Sequence, residues 1–205
     1  MKYPKLRELR EAIKALIKGP YTSKFPSVPH KPSPGFRGKP TPSDDDCIAC
    51  GACAEVCPVG AIEVTDDLDS KPPSRRIKWR YDVCIFCGQC ERYCSTEKGV
   101  RLTEEFDLAA FDRKSVFSEI KKELLVCGSC GEVIGPKSQV LWLARKLGPK
   151  AYGNALLFSM LQKEAEIVSE VPFEKSARME RTGLFTILCP KCKHSTLIYD
   201  EYRKK

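Results

Sequence analysis

The sequence predicts an α+β chain in three parts. Residues 1–43 form a basic helix and a proline-rich arm, 44–108 a small body built on a repeated cysteine loop, and 109–205 a helical segment with two more cysteine pairs. Three observations predict this. The run CIACGACAEVC, Cys47 to Cys57, returns 37 residues later as CIFCGQCERYC, Cys84 to Cys94; the four cysteines, the Ile after the first and the Gly after the second all coincide. Between the copies, Ala61–Val64 and Arg76–Trp79 have strand-like composition around a turn-rich DDLDSKPPS. Beyond residue 108 the texture becomes helical, and CGSC at Cys127 and Cys130 is matched by CPKC at Cys189 and Cys192.

Each element has its own reason. Over residues 1–18, Leu6, Leu9, Ile13, Leu16 and Ile17 fall on one stripe of a helix with Lys and Arg elsewhere, and Gly19-Pro20 ends it. Seven prolines then crowd residues 20–42, which favours an extended arm laid along something else rather than a packed core. Ser115–Leu125 reads as a charged helix leading into CGSC, and Val140–Leu147 and Ala155–Leu161 as two more helices. Leu184–Leu188 resembles a strand entering CPKC and Thr196–Tyr199 its return. Together these make a zinc-ribbon-like module with a helical insertion.

With 42% hydrophobic and 30% charged residues the chain has globular composition. No run reaches the roughly 18 to 20 apolar residues that cross a bilayer, and charges throughout the first eighteen positions interrupt any signal-peptide core. A reducing cytosol is therefore expected, where 12 cysteines mean metal more often than disulfides.

Each repeat reads C-x2-C-x2-C-x3-C, and the first ends Cys57-Pro58, the spacing of ferredoxins with two four-iron clusters. Three cysteines at three-residue spacing wrap one face of a cubane with loop amides aimed at its sulfurs. The fourth is expected to head a helix that leads away, and so to ligate the other cluster. Cluster 1 is then held by Cys47, Cys50, Cys53 and Cys94, and cluster 2 by Cys84, Cys87, Cys90 and Cys57. Gly51 and Gly88 permit the close backbone approach. Paired zinc sites fit less well, because zinc uses CxxC pairs separated by a longer loop. Cys127, Cys130, Cys189 and Cys192 do have that form. They predict a closed site for one zinc or one rubredoxin-like iron, with His194 a neighbour. No phosphate loop or catalytic triad is legible, and the other histidine, His30, lies in the arm.

With these pieces assembled, the chain resembles the two-cluster ferredoxin subunits of complex I and of related membrane-bound hydrogenases. The resemblance rests on the basic helix, KGPYTSKFP (Lys18 to Pro26), GFRGKP (Gly35 to Pro40), both cysteine loops and LTEEFDLA (Leu102 to Ala109), and covers roughly residues 1 to 110. The CGSC…CPKC tail is similar to the corresponding subunit of formate hydrogenlyase-type and archaeal respiratory complexes. The resemblance implies a non-catalytic electron relay within a hydrogenase, sulfur-reducing or NADH dehydrogenase-like oxidoreductase. Implied partners are a small subunit carrying a further [4Fe-4S] cluster, a hydrogenase-like large subunit and membrane-arm subunits, with a soluble ferredoxin as a candidate donor. The implied location is the cytoplasmic side of the cell membrane, peripherally. Ser95 departs from the family, which usually has a second Pro after the fourth cysteine.

Two other readings are a freely diffusing ferredoxin and a zinc-ribbon nucleic-acid binder with structural or sensory clusters. Charge weighs against both. Residues 1–43 hold ten Lys or Arg and two acids, 44–126 hold 12 and 17, and 127–205 hold 13 and 8, for a net +8. The redox body is acidic and the largest positive excess lies in the helix and arm, an attachment device for partner subunits or an anionic membrane face. Nucleic acid is not an expected partner.

Overall fold

The computed structural model describes residues 5–19, 22–165 and 187–199. Residues 1–36 and 37–205 are two compact units. The first contains α1 (Leu6–Lys18), where the sequence places its helix. Gly19 closes it at φ +76°, a left-handed value that glycine adopts without penalty, and donates its N–H to the Ala15 carbonyl at 2.9 Å. The stripe from Leu6 to Ile17 is exposed, and residues 22–36 carry only turns and irregular backbone.

The second unit begins with the GFRGKP element, and its structure explains that motif. Gly38 donates its N–H to the Thr103 carbonyl at 2.8 Å, and Lys39 to the Glu105 carbonyl at 3.0 Å. The Lys39 ammonium reaches Glu105 Oε1 at 2.6 Å. The end of the proline arm then becomes β1 (Pro40–Pro42), antiparallel to β4 (Val100–Leu102). Proline is tolerated because β1 is an edge strand that need not donate at every position.

A four-stranded antiparallel sheet runs in the order β2 (Ile62–Asp67), β3 (Ser74–Arg80), β5 (Phe117–Val126), β6 (Val133–Pro136). The DDLDS turn closes the first hairpin, with Asp67 Oδ1 accepting the N–H groups of Asp69 and Ser70 at 3.1 Å each. Ile62 pairs with Trp79, and Ile77 with Ile120. These residues join Tyr81, Val100 and the loop residues Ala49, Cys53 and Cys90 in one core. The Tyr81 hydroxyl donates to the Pro40 carbonyl at 2.7 Å and also contacts Ser118, pinning β1 to the sheet.

Two sequence expectations fail here. Ser115–Leu125, expected as a helix, is the end of a 3-10 turn (Arg113–Ser115) followed by strand β5. Phe117, Ile120 and Leu124 have helical spacing, but pairing with β3 on one side and β6 on the other supplies more than local propensity can. Thr196–Tyr199, expected as a return strand, belongs to α6 (Pro190–Tyr199). Of the expected strand Leu184–Leu188, residues 184–186 lie outside the described residues, and Ile187 and Leu188 have no regular structure. The two other expected helices are α4 (Lys137–Leu147) and α5 (Ala155–Glu164), the latter capped by Asn154, whose side-chain oxygen accepts the Leu156 and Leu157 N–H groups. Ser138, at the start of α4, donates to the Ile48 carbonyl at 3.1 Å, tying the helix to the first cysteine loop.

Candidate metal centres

The two cysteine loops share one backbone course. Gly51 and Gly88 are left-handed (φ +83° and +79°) and cap the four-residue helices α2 (Ala52–Glu55) and α3 (Gln89–Arg92), which carry the third cysteines, Cys53 and Cys90. Two residues earlier in each loop, Ala49 and Phe86 are also left-handed, at φ 52° and 54°. Non-glycine residues adopt that conformation rarely. Here it turns their N–H groups back toward the first cysteines: Phe86 donates to Cys84 Sγ at 3.4 Å, and the Ala49 amide does the same for Cys47. The fourth cysteines, Cys57 and Cys94, follow these helices and do not head new ones; their N–H groups fold back to Ala54 and Glu91. The expected outgoing helix is thus corrected, since strand β2 follows Cys57 almost directly.

Two cavities result, each open to solvent and its volume counted with its mouth. One, of about 410 Å³, is lined by Cys84, Cys87 and Cys90 from the second loop and Cys57 from the first. The other, of about 320 Å³, is lined by Cys47, Cys50 and Cys53 with Cys94. Each cavity therefore gathers three cysteines of one loop and the fourth of the other. Arg37, from GFRGKP, donates to the Cys87 carbonyl at 3.2 Å on the rim of the larger cavity.

Burial keeps most of these cysteines protonated in the absence of a metal. Burial, then neighbouring Cys47, Cys50 and Cys90, pushes the Cys53 thiol up to about 12; burial pushes Cys90 up to about 11 and raises Cys47 and Cys84. Such groups become thiolates only when a metal supplies positive charge. Cys94 differs. Burial pushes it up too, but the Thr96 hydroxyl and the amides of Thr96, Gly99 and Val100 outweigh this and hold it below the ordinary thiol range. Thr96 Oγ1 lies 3.4 Å from Cys94 Sγ, and Ser95 Oγ 3.5 Å from Cys50 Sγ. Gly99 donates its N–H to Thr96 Oγ1 at 3.0 Å, which leaves the threonine proton free for the sulfur.

A buried donor also fits a sulfur-rich guest. Among the described residues, the Trp79 indole N–H is the buried side-chain polar atom without a partner, on a side chain 2% exposed. Leaving such a group unpaired costs about 1–3 kcal/mol, and a sulfide or cysteinyl sulfur is an acceptor of the kind it lacks. Sequence reading missed Ala49, Phe86, Trp79, Arg37 and Thr96. The internal repeat aligns Ala49 with Phe86 and contains the signal for that pair; nothing local marks the others.

The C-terminal cysteines form a third group. Cys127 and Cys130 lie on the turn between β5 and β6, where Gly131 donates its N–H to the Cys127 carbonyl at 2.9 Å, while Cys189 and Cys192 sit at the start of α6. Their four sulfurs lie within 4.8 Å of one another, Cys130 and Cys189 at 3.7 Å. A tetrahedral zinc with Zn–S near 2.3 Å sets its sulfurs about 3.8 Å apart. The second pair is presented by a helix and not by a second hairpin, so the ribbon geometry expected from the sequence is replaced by a hairpin turn and a helix start. Burial raises the Cys127 thiol, but the amides of Cys130, Cys189 and Ser129 outweigh it and acidify it to about 6; Cys192 is pushed up to about 12 by burial and its neighbours. His194 is exposed in α6.

Fold and cysteine arrangement define a ferredoxin-type protein with two [4Fe-4S] clusters, and residues 46–98 match the 4Fe-4S dicluster domain. The chain is 32% identical over 128 residues to NADH-quinone oxidoreductase subunit I 2 of Geobacter metallireducens, covering 60% of this chain and 96% of that protein. It is 32% identical over 130 residues to formate hydrogenlyase subunit 6 of Escherichia coli K12, covering 62% and 70%. A chain of the membrane-bound sulfane sulfur reductase, an archaeal respiratory membrane complex, aligns at 29% identity and a TM-score of 0.39 over 57% of this chain and 61% of that one. The chain belongs to the family of NADH-quinone oxidoreductase subunit I and formate hydrogenlyase subunit 6, iron–sulfur electron-transfer subunits.

Proposed function

We propose that the chain is the two-cluster electron relay of a membrane-bound respiratory complex, docked at its cytoplasmic surface. Cys47, Cys50, Cys53 and Cys94 hold one [4Fe-4S] cluster, and Cys84, Cys87, Cys90 and Cys57 the other. The observation that carries this reading is the crossing of the loops: each cavity takes its fourth cysteine from the other repeat. When bound, the clusters accept and release electrons singly. This chain's residues hold the sulfurs, exclude water and set the two environments, and no side chain is required to make or break a bond in a substrate. Cys127, Cys130, Cys189 and Cys192 hold one structural zinc, a role the compact sulfur tetrad supports.

The partners are a small subunit with a further cluster and a hydrogenase-like or complex I-like large subunit, as the family resemblance implies. Among the described residues no helix is long and apolar enough to cross a membrane. Attachment is therefore assigned to α1 and the basic arm, whose exposed apolar stripe and +8 balance suit a partner surface or an anionic lipid face. The test is metal analysis of the complex purified anaerobically with its partners. About eight irons and one zinc per copy are expected from this chain; four irons, or zinc in the place of iron, refutes the assignment.

A further inference from the structure

The two cavities have a single lining residue in common, Trp79. It sits on β3, held between Ile62 of β2 and Ser118 of β5, so its backbone has no freedom to swing the ring away. The smaller cavity adds Ile77 and Val100 on one side of it, and the larger adds Ile62 and Tyr81 on the other. A wall between two apolar-lined cavities could be filled by any large hydrophobic side chain. This one carries a polar N–H that is fully buried and has no hydrogen-bond partner.

We propose that Trp79 is a redox-poising residue: its indole N–H donates a hydrogen bond to a sulfur of one bound cluster and raises that cluster's potential relative to its neighbour. The inference rests on the two-cluster reading above. Its physical basis is charge. Adding an electron makes a cluster more negative, and a hydrogen bond to an ionised acceptor is stronger than one to a less charged acceptor. A donor at sulfur therefore favours the reduced form, and hydrogen bonds to the sulfurs are one of the determinants of cluster potential. Indole is a donor only, so the bond runs one way and does not depend on how a hydroxyl is turned. The tryptophan holds a proton against sulfur and does not itself change oxidation state.

The test is Trp79→Phe in the intact complex, with EPR-monitored potentials of both clusters and iron content. With about eight irons retained from this chain, one cluster is expected to shift to a lower potential. Its reduced-to-oxidised ratio at fixed ambient potential should fall about tenfold, which is 59 mV for one electron, while the other moves much less. Electron-nuclear double resonance of the reduced parent should show a proton coupling to that cluster that exchanges in D2O slowly, as a buried N–H does, and that is missing in the variant. Unchanged potentials for both clusters with iron retained overturn the proposal. Should Trp79→Phe lose iron, replacement of Trp79 by its benzothienyl isostere, which keeps the ring shape and substitutes sulfur for N–H, decides it. A lowered potential supports the hydrogen bond, and parental potentials refute it. Absence of two cluster signals in the parent protein would instead refute the two-cluster reading, so the two failures are distinguishable.

Discussion

Gly38 in the GFRGKP element is where the structure makes its sharpest demand on a single residue. A Cβ at this position would lie 2.3 Å from the Glu105 carbonyl oxygen, 2.5 Å from that of Thr103 and 2.9 Å from the Glu105 carbonyl carbon. All three are backbone atoms, so no rotamer change relieves the clash, and the strands must part by about an ångström to reach ordinary contact distance. Parting breaks the two hydrogen bonds that these carbonyls accept from Gly38 and Lys39. At about 0.5–1.5 kcal/mol each, their loss costs about 1–3 kcal/mol, and overpacking strain adds about 1–3 kcal/mol. Because the Glu105 side is exposed and yields more easily, we expect Gly38→Ala to destabilise by about 2–4 kcal/mol. In a chain of this size that lowers Tm by roughly 5–15 °C. The assay is anaerobic thermal unfolding, followed by far-UV circular dichroism and cluster absorbance, with Gly153→Ala as control. A Cβ at Gly153 meets nothing within 4 Å and its φ is not left-handed, so the control should melt within a few degrees of the parent. If Gly38→Ala melts with the control, the proposed closure of the arm onto residues 103–105 is wrong.

The other expectations are more local. Cys94→Ala should damage the cluster held by the first loop more than the one held by its own loop, and EPR showing the opposite loss refutes crossed ligation. Ser95→Ala combined with Thr96→Val removes the hydroxyls beside Cys50 and Cys94. It should lower the potential of cluster 1 by on the order of tens of millivolts and leave cluster 2 unmoved; an equal shift of both shows that the hydroxyls do not act locally. Cys130→Ala should release the zinc proposed for the C-terminal tetrad while the cluster irons stay, as measured by elemental analysis, and loss of iron with zinc would show that the two metal systems fold as one.

The metal-binding chemistry was legible because metal ligation imposes spacing on the chain itself. Three cysteines at three-residue intervals, twice, leave few alternatives, and the helical stripe from Leu6 to Ile17 is equally a property of contiguous sequence. What failed depended on neighbours. Phe117, Ile120 and Leu124 carry a helical period, yet they form a strand because β3 and β6 offer unpaired edges on both sides. Thr196–Tyr199 has β-prone residues but continues the helix begun at Pro190. The roles of Trp79, Thr96 and Arg37 were illegible for a different reason. Each is defined by distance to a cavity that exists only after residues tens of positions apart have converged. GFRGKP lay between these cases: recognisable as a motif, and explicable only once Thr103 and Glu105 were seen across from it.

The departure from symmetry between the two repeats bears most directly on what a relay needs. Within the loops the copies agree down to the left-handed Ala49 and Phe86, so each cavity is built by the same backbone device. After the fourth cysteines they part: Cys57 is followed by Pro58 and Val59, Cys94 by Ser95 and Thr96. The first sequence offers no side-chain hydroxyl, and Cys57 Sγ accepts the Ala61 N–H at 3.2 Å. The second places two hydroxyls against Cys50 and Cys94, and Gly99 is small enough to let Thr96 and Cys94 meet, since a Cβ there would lie 2.8 Å from the threonine oxygen and 3.2 Å from the sulfur. Donors at sulfur favour the reduced state, so on the proposed ligation these hydroxyls act to raise the potential of cluster 1, and similar loops end in unequal surroundings. Binding requires only the repeat. A preferred direction of transfer requires a difference, and the residues that follow the cysteine exchanged between the loops supply one beside that proposed for Trp79.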